Sequence, residues 1–495
     1  MSEAVPSQKT ATGERALRIA VIGAGASGIL SGIKLREAGI ADVVIYEKAD
    51  RPGGTWRENH YPGLSCDVPS HVYRYSFEPN PDWSRLFSPG HEIQNYLEAM
   101  VRKYGLDEVI RYGREVVRCE WDGARWEVEL SDGEVDHADV VIAATGVLHH
   151  PRTPEIEGLE RFEGACFHSA RWDDSTVLDG KRVGIIGNGS TGVQITTAVS
   201  GRASHLSLFQ RTAQWVLPQE NPVYSEEEKA RFRDDRELCQ HLYRELNKSF
   251  ITNFSHAVVD AESEGIAMVE TACRAHLDEK VADPELKAKL TPDYRAGCKR
   301  LVVAGGFYEA LQRSDTELVT EDIESVEATG VRTRDGRLHP LDVLVLATGF
   351  QTHQFIRPTK VIGRDGIRLD DAWAESNRTY LSVSVPQFPN FFMLVGPYSP
   401  VGNFSLIGVA ETQLSYVMQL IEVLRDGRAR QVAARADATE RFFAEMVEAT
   451  KGTIWASGCK SWYIDKSGVP ASWPWDYDRF ESMMATPDLK DFELL

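Results

Sequence analysis

Two glycine-rich turns in this chain are followed, at the same distance, by side chains of opposite charge. The first turn, Gly23-x-Gly25-x-x-Gly28, lies within LRIAVIGAGASG; the second, Gly187-x-Gly189-x-x-Gly192, lies within KRVGIIGNGSTG. In such a turn the first glycine permits the tight bend and the second lets backbone approach a pyrophosphate. The third lets the following helix pack against the preceding strand. Counting nineteen positions past the third glycine gives Glu47 after the first turn and Arg211 after the second. A carboxylate there accepts hydrogen bonds from ribose hydroxyls and repels a 2′-phosphate, whereas a guanidinium grips that phosphate bidentately. The first site therefore suits FAD or NAD, and the second suits NADPH.

The elements that must position these groups repeat as well. Each turn sits between an apolar strand and a helix and leads to a second strand, ADVVIYEK or HLSLFQRT. Two further apolar runs, ADVVIAATG (138–146) and LDVLVLATGF (341–350), both end in Ala-Thr-Gly, as expected where a parallel strand returns beneath a dinucleotide. The expected fold is α/β, with two Rossmann-like dinucleotide-binding domains and a helical insertion. An FAD domain is expected over 1–148 and 388–495, and an NADPH domain over 149–217 and 298–387. The charged, amphipathic stretch 218–297 has no strand signal and is expected to be the helical insertion. FEGACFHSARWDD (162–174) makes neither an obvious strand nor a convincing helix.

A chain of 495 residues is too long for one core. Its net charge of -19 argues against a nucleic-acid or anionic-membrane surface, so anionic ligands need local clusters of Arg and Lys. Seven scattered cysteines include no CxxC or CxxxxC pair, so neither a zinc site nor a redox-active dithiol is indicated, and no other metal is expected. No stretch approaches a membrane span. The N-terminus, MSEAVPSQKTATGER, is polar and lacks the apolar core of a signal peptide. The expected setting is reducing and cytoplasmic.

With both nucleotide sites placed, the chain resembles the flavin-containing monooxygenase superfamily and, within it, the Baeyer–Villiger monooxygenases. The resemblance runs through GAGASG, GGTW (53–56), YPGLSCDVPSHVY (61–73), GNGSTG, FQRT (209–212), CKRL (298–301), LATGF and GCKSWY (458–463). Its most specific item is the fingerprint FxGxxxHxxxW followed by Pro or Asp, here Phe162, Gly164, His168, Trp172 and Asp173.

The resemblance implies FAD contacts from Ser27, Glu47, Gly54, Thr55, Trp56, Asp67, Tyr73 and Val116. It implies NADPH contacts from Ser190, Thr191, Arg211, Thr212 and Lys299, and a catalytic Arg300 beside the flavin, oriented by Asp67. Arg57-Glu58 departs from the aromatics that often follow GGTW. The implied reaction uses FAD, NADPH and O2 to convert a ketone to an ester or lactone through a flavin C4a-peroxide. Three other readings stand beside it: an N- or S-oxygenating flavin monooxygenase, a pyridine-nucleotide disulfide reductase, and a non-enzymatic NADPH-binding flavoprotein. The segments 396–408 and 455–463 mix small, aromatic and apolar residues and suit apolar, aryl or cyclic ketones alike.

Overall fold

A computed structural model describes residues 15–402 and 404–495. The polar stretch before Arg15 and Asn403 of the expected pocket segment lie outside the described residues. Two five-stranded parallel sheets organise the molecule. The first runs Phe391–Met393, Val140–Ala143, Arg18–Ile22, Asp42–Glu47, Ile110–Tyr112. The second runs Thr316–Val319, His205–Phe209, Arg182–Ile186, Val343–Leu346, Ala165–His168. After the arginine that opens each, the central strands Arg18–Ile22 and Arg182–Ile186 are apolar, like Val140–Ala143 and Val343–Leu346 beside them, because both faces are covered: Ile19, Val21, Ile142, Ile185 and Val345 have no exposed surface.

The chain passes between the two sheets at two places that lie side by side. Gln351 N donates to His150 O (2.9 Å), Arg152 N donates to Gly349 O (2.9 Å), and Pro151 bridges Phe350. After the second crossing, the strand Lys360–Ile362 pairs with Val116–Trp121, which carries on from the first sheet's edge. The chain is thus back beside the first fold by Lys360, ahead of the expected boundary at 388.

Between the short strands Val216–Pro218 and Val302–Ala304, which pair with each other, the chain is helical. The helices there include Glu226–Asp234, Arg236–Phe250, Glu264–Lys280 and Pro284–Leu290. Each is closed at its N-terminus by a side chain, from Ser225, Asp235, Ser263 and Asp283 respectively.

The segment 162–174 departs from its sequence reading. Ala165–His168 is the edge strand of the second sheet, paired in parallel with Val343–Leu346, and a 3₁₀ turn, Ser169–Arg171, follows. A four-residue strand with only one neighbour leaves little alternation to detect. Gly164 is required there, since a Cβ would fall 2.4 Å from Asp342 O. No helix among the described residues is long and apolar enough to cross a membrane.

Candidate dinucleotide and flavin site

Both glycine turns have the predicted geometry. Gly23 has φ +101°, and a Cβ on Gly28 would lie 1.8 Å from the Gly23 carbonyl oxygen. The helices that follow, Ala26–Glu37 and Ser190–Val199, are headed by Gly25 and Gly189 with no side-chain cap and no acid in the first turn. Every long helix of the insertion is capped by its own side chain; these two leave their first amides free, the donor set a pyrophosphate needs. Gly25 and Gly54 also come together, with a Cβ on Gly54 only 3.0 Å from Gly25 Cα, so the GGTW turn closes over the first glycine turn. On these observations the residues fit two dinucleotides.

The ends of the second strands reveal a detail that counting missed. Glu47 is buried and accepts from Ala24 N (2.8 Å) and Ala49 N (2.9 Å), bracing the glycine turn. Sheet register pairs Ile22 with Tyr46 and Ile186 with Phe209, so the residue matching Glu47 is Gln210, and Arg211 is one further on. Gln210 is buried and its carbonyl accepts from Asn188 Nδ2 (2.7 Å), the turn residue matching Ala24. The same Asn188 amide donates to Thr212 O (2.9 Å). Arg211 projects into solvent. The signal for Gln210 lies in FQRT itself, an amide directly ahead of the expected arginine.

Lys299 approaches Arg211 from the far side of the sequence. Burial lowers the Lys299 pKa and the nearby Arg211 charge lowers it further, while its ammonium rests 4.4 Å from the Tyr294 ring centroid. The Asp293 carboxylate is also near enough to act on Lys299 and offsets part of that repulsion.

The neighbouring Arg300 faces the other way. Its Nη2 donates to Asp67 Oδ2 at 2.5 Å, and the Tyr463 hydroxyl lies beside the same guanidinium, both close to Gly402. The Asp67 charge holds Arg300 firmly protonated against its burial. Tyr463 is buried, which raises its phenol above the ordinary value against the pull of Arg300. Gly402 completes the grip, since a Cβ there would overlap the Tyr463 hydroxyl at 1.9 Å. Even so, 34% of the Arg300 side chain stays exposed. Tyr463 was legible only as part of GCKSWY. Near Asp67, Trp56 Nε1 donates to the Tyr73 hydroxyl (3.3 Å), and their rings meet edge to face. Thr55 begins the short helix Thr55–Glu58. The Val116 side chain is buried in the first core and its carbonyl accepts from Thr359 Oγ1 (2.9 Å). Nearby, Trp455 is a core residue, 2% exposed.

The fingerprint residues divide. His168 is buried at the junction of the two crossings: Nε2 donates to Gly349 O (3.0 Å) and Nδ1 accepts from Ala170 N (3.1 Å). Burial lowers its pKa, which fits the neutral tautomer these two bonds require. Phe162 packs in the small core under the second sheet, and Trp172 packs edge-on against Phe167. Asp173 is exposed and ties its own turn through Ser175 and Thr176.

The departure at Arg57-Glu58 also has a place. Glu58 lies 3.8 Å from His149 in the crossing and 3.9 Å from Arg171 in the fingerprint turn, and His60 lies 3.2 Å from Asp174. Further along, the Tyr61 hydroxyl reaches the head of the second nucleotide helix, donating to Gln194 Oε1 (2.9 Å) and lying 3.3 Å from Thr191 Oγ1. Segment 58–61 of the first fold therefore rests on the fingerprint turn and on the NADPH helix.

The seven cysteines hold one surprise. Cys298 and Cys459, separated by 161 positions, form a disulfide. No CxxC or CxxxxC spacing announces this pair: spacing rules see only neighbours, and folding brings these two together.

Comparison with known proteins agrees with the site. The flavin-binding monooxygenase-like family model matches residues 16–260. An uncharacterized monooxygenase of Mycobacterium tuberculosis is 47% identical over 96% of both chains. A Baeyer–Villiger monooxygenase of Streptomyces coelicolor is 36% identical over 97% of this chain and 93% of its own. Among solved structures, NADP+-bound cyclohexanone monooxygenase from Rhodococcus superposes with a TM-score of 0.86 at 30% identity, covering 97% of this chain and 99% of that one. Oxidized steroid monooxygenase bound to NADP gives 0.87 at 28% identity with the same coverage. This chain belongs to the flavin-binding monooxygenase-like family and, within it, to the Baeyer–Villiger monooxygenases.

Proposed function

We propose that this chain, an FAD- and NADPH-dependent Baeyer–Villiger monooxygenase, acts on an apolar ketone in a cytoplasmic setting. The balanced reaction is ketone + O2 + NADPH + H⁺ giving ester or lactone + NADP⁺ + H2O. Bound FAD, reduced by NADPH, supplies the activated oxygen. The first fold, with Gly23, Gly25, Ser27, Gly28 and Glu47, would hold FAD, and Gly54, Thr55, Trp56, Asp67 and Tyr73 would line the flavin end. The second fold holds NADPH through Gly187, Gly189, Ser190, Thr191 and Gly192, with Arg211, Thr212 and Lys299 reading the 2′-phosphate.

The observation that carries the reading is the grip on Arg300. A guanidinium fixed by Asp67 beside the Tyr463 hydroxyl, yet partly exposed, is preorganised to stabilise negative charge that develops on oxygen. Asp67 orients that charge. A small cleft lined by His353, Arg357 and Asp465 takes in Tyr398 of the 396–408 segment.

The test is Arg300→Ala. Flavin reduction by NADPH is expected to persist, while ester yield per NADPH falls by about 100-fold or more and oxygen appears as hydrogen peroxide. Arg300→Lys restores charge but not the planar fork and rescues only in part. Asp67→Ala gives a milder version of the same defect. Ester formation at near wild-type yield from Arg300→Ala overturns the assignment, and a sulfide assayed beside the ketone identifies an N- or S-oxygenase.

A further inference from the structure

The segment that carries Lys299 and Arg300 is covalently tied to the segment that carries Tyr463. Cys298 directly precedes Lys299, and its disulfide partner Cys459 lies four positions before Tyr463. The two sulfurs differ in access. Cys298 has no exposed surface and is packed with Trp215, Ile266, Leu301 and Trp455, whereas Cys459 is half-buried at the margin of the same cluster. The other five cysteines are free.

We propose that Cys298–Cys459 is a redox-modifiable cross-link that sets how firmly Arg300 and Lys299 are held against their ligands. The proposal rests on the reading of Arg300 and Lys299 given above. Closed, the bond fixes the 456–462 loop to the Arg300 segment. Opened, the loop is still anchored by the buried Trp455 and Tyr463 and by His353 Nε2 donating to Trp462 O (2.9 Å), so the fold persists while the Tyr463–Arg300 contact loses its covalent support.

Opening is a thiol–disulfide exchange. A small thiolate attacks the accessible Cys459 sulfur, the S–S bond breaks, and Cys298 leaves as a thiolate and takes up a proton. A second small thiol then attacks the mixed disulfide, frees Cys459 as a thiol and departs joined to the first as a small disulfide. Two electrons and two protons pass to the protein, and two small thiols become one disulfide. Closing is the reverse, with a low-molecular-weight disulfide as oxidant. In a reducing compartment the enzyme would therefore report the state of the thiol pool.

The experiment uses the full-length FAD-loaded enzyme, equilibrated in air or treated with dithiothreitol that is then removed. Maleimide labelling after denaturation, read by mass, is expected to count five thiols before treatment and seven after. Reduction is expected to lower ester formed per NADPH by about three-fold and to raise the Michaelis constant for NADPH by a similar factor, as small misplacements of positioning groups do. Flavin content should stay unchanged. Cys459→Ser, altered at the more exposed sulfur, should match the reduced enzyme and ignore dithiothreitol.

Seven thiols in the air-equilibrated protein overturn the proposal, as do five thiols with identical ester yield and identical NADPH Michaelis constant in both states. If neither state makes ester, the ketone reading fails. A reduction-dependent change in the NADPH constant would then still support the cross-link.

Discussion

A Cβ on Gly28 would sit 1.8 Å from the Gly23 carbonyl; one on Gly192 would sit 1.9 Å from the Gly187 carbonyl. Gly23 and Gly187 share nearly the same left-handed backbone, φ +101° and +106°. Ahead of both helices the amides lack side-chain caps. Up to the end of the second strand the two nucleotide folds are one device built twice. There they part: a buried acid braces the first turn through backbone amides, and a buried amide braces the second through the Asn188 side chain. Replacing Glu by Gln keeps the brace and removes the charge, and the next residue, Arg211, adds the opposite charge outside. In the function proposed above, the shared part makes a dinucleotide site and two adjacent side chains choose which dinucleotide enters.

The comparison is broken most severely at its shared part. Gly192→Ala forces a Cβ into backbone and is expected to cost on the order of 3 kcal/mol of stability. It should abolish NADPH-driven flavin reduction while the protein, if recovered, remains yellow; a full NADPH rate would show that the second turn is not the coenzyme's. Arg211→Ala comes next. It is expected to raise the Michaelis constant for NADPH by about ten- to hundred-fold, the worth of charge-assisted hydrogen bonds, with little change for NADH. Equal effects on both coenzymes would give Arg211 another role.

Gln210→Glu sharpens the contrast by giving the second fold the first fold's brace. A carboxylate near the 2′-phosphate is expected to weaken NADPH by about five-fold, roughly 1 kcal/mol in a solvated site, and to spare NADH. Steady-state kinetics with both coenzymes decides it.

The smallest expected effect is at the junction between the folds. Burial holds His168 below its ordinary value, so this contribution to stability is complete above about 6.5, where both states are neutral, and is lost as pH falls below it. His168→Gln keeps a donor toward Gly349 and has no proton to gain. Its melting temperature should fall less steeply than wild type between about pH 7 and 5. Parallel curves would mean that His168 does not titrate in this window.

What was legible in the sequence was local. Glycine turns, apolar strands and the amphipathic insertion announce themselves within short windows, and each lies where it was read. What escaped depends on partners far along the chain. The strand at 165–168 exists because Val343–Leu346 lies beside it, and the strand at 360–362 because residues 118–120 do. Gln210 was passed over because counting from a helix misjudges register in a sheet by one residue. Cys298 and Cys459 meet only when 161 positions of chain fold back. The departure at Arg57-Glu58 makes sense only once His149 and Arg171 are seen around Glu58.

Lys299 and Arg300 are consecutive, yet one leans toward Arg211 and Tyr294 and the other toward Asp67 and Tyr463. A single peptide unit thus joins the proposed phosphate-reading side chain to the proposed oxygen-transfer one. A substitution at Lys299 made to change coenzyme preference falls directly beside Arg300. Coenzyme exchange and oxygen-transfer efficiency should therefore be screened together in such variants, with second-fold changes at Gln210 and Arg211 made first because they lie on a different segment of the chain.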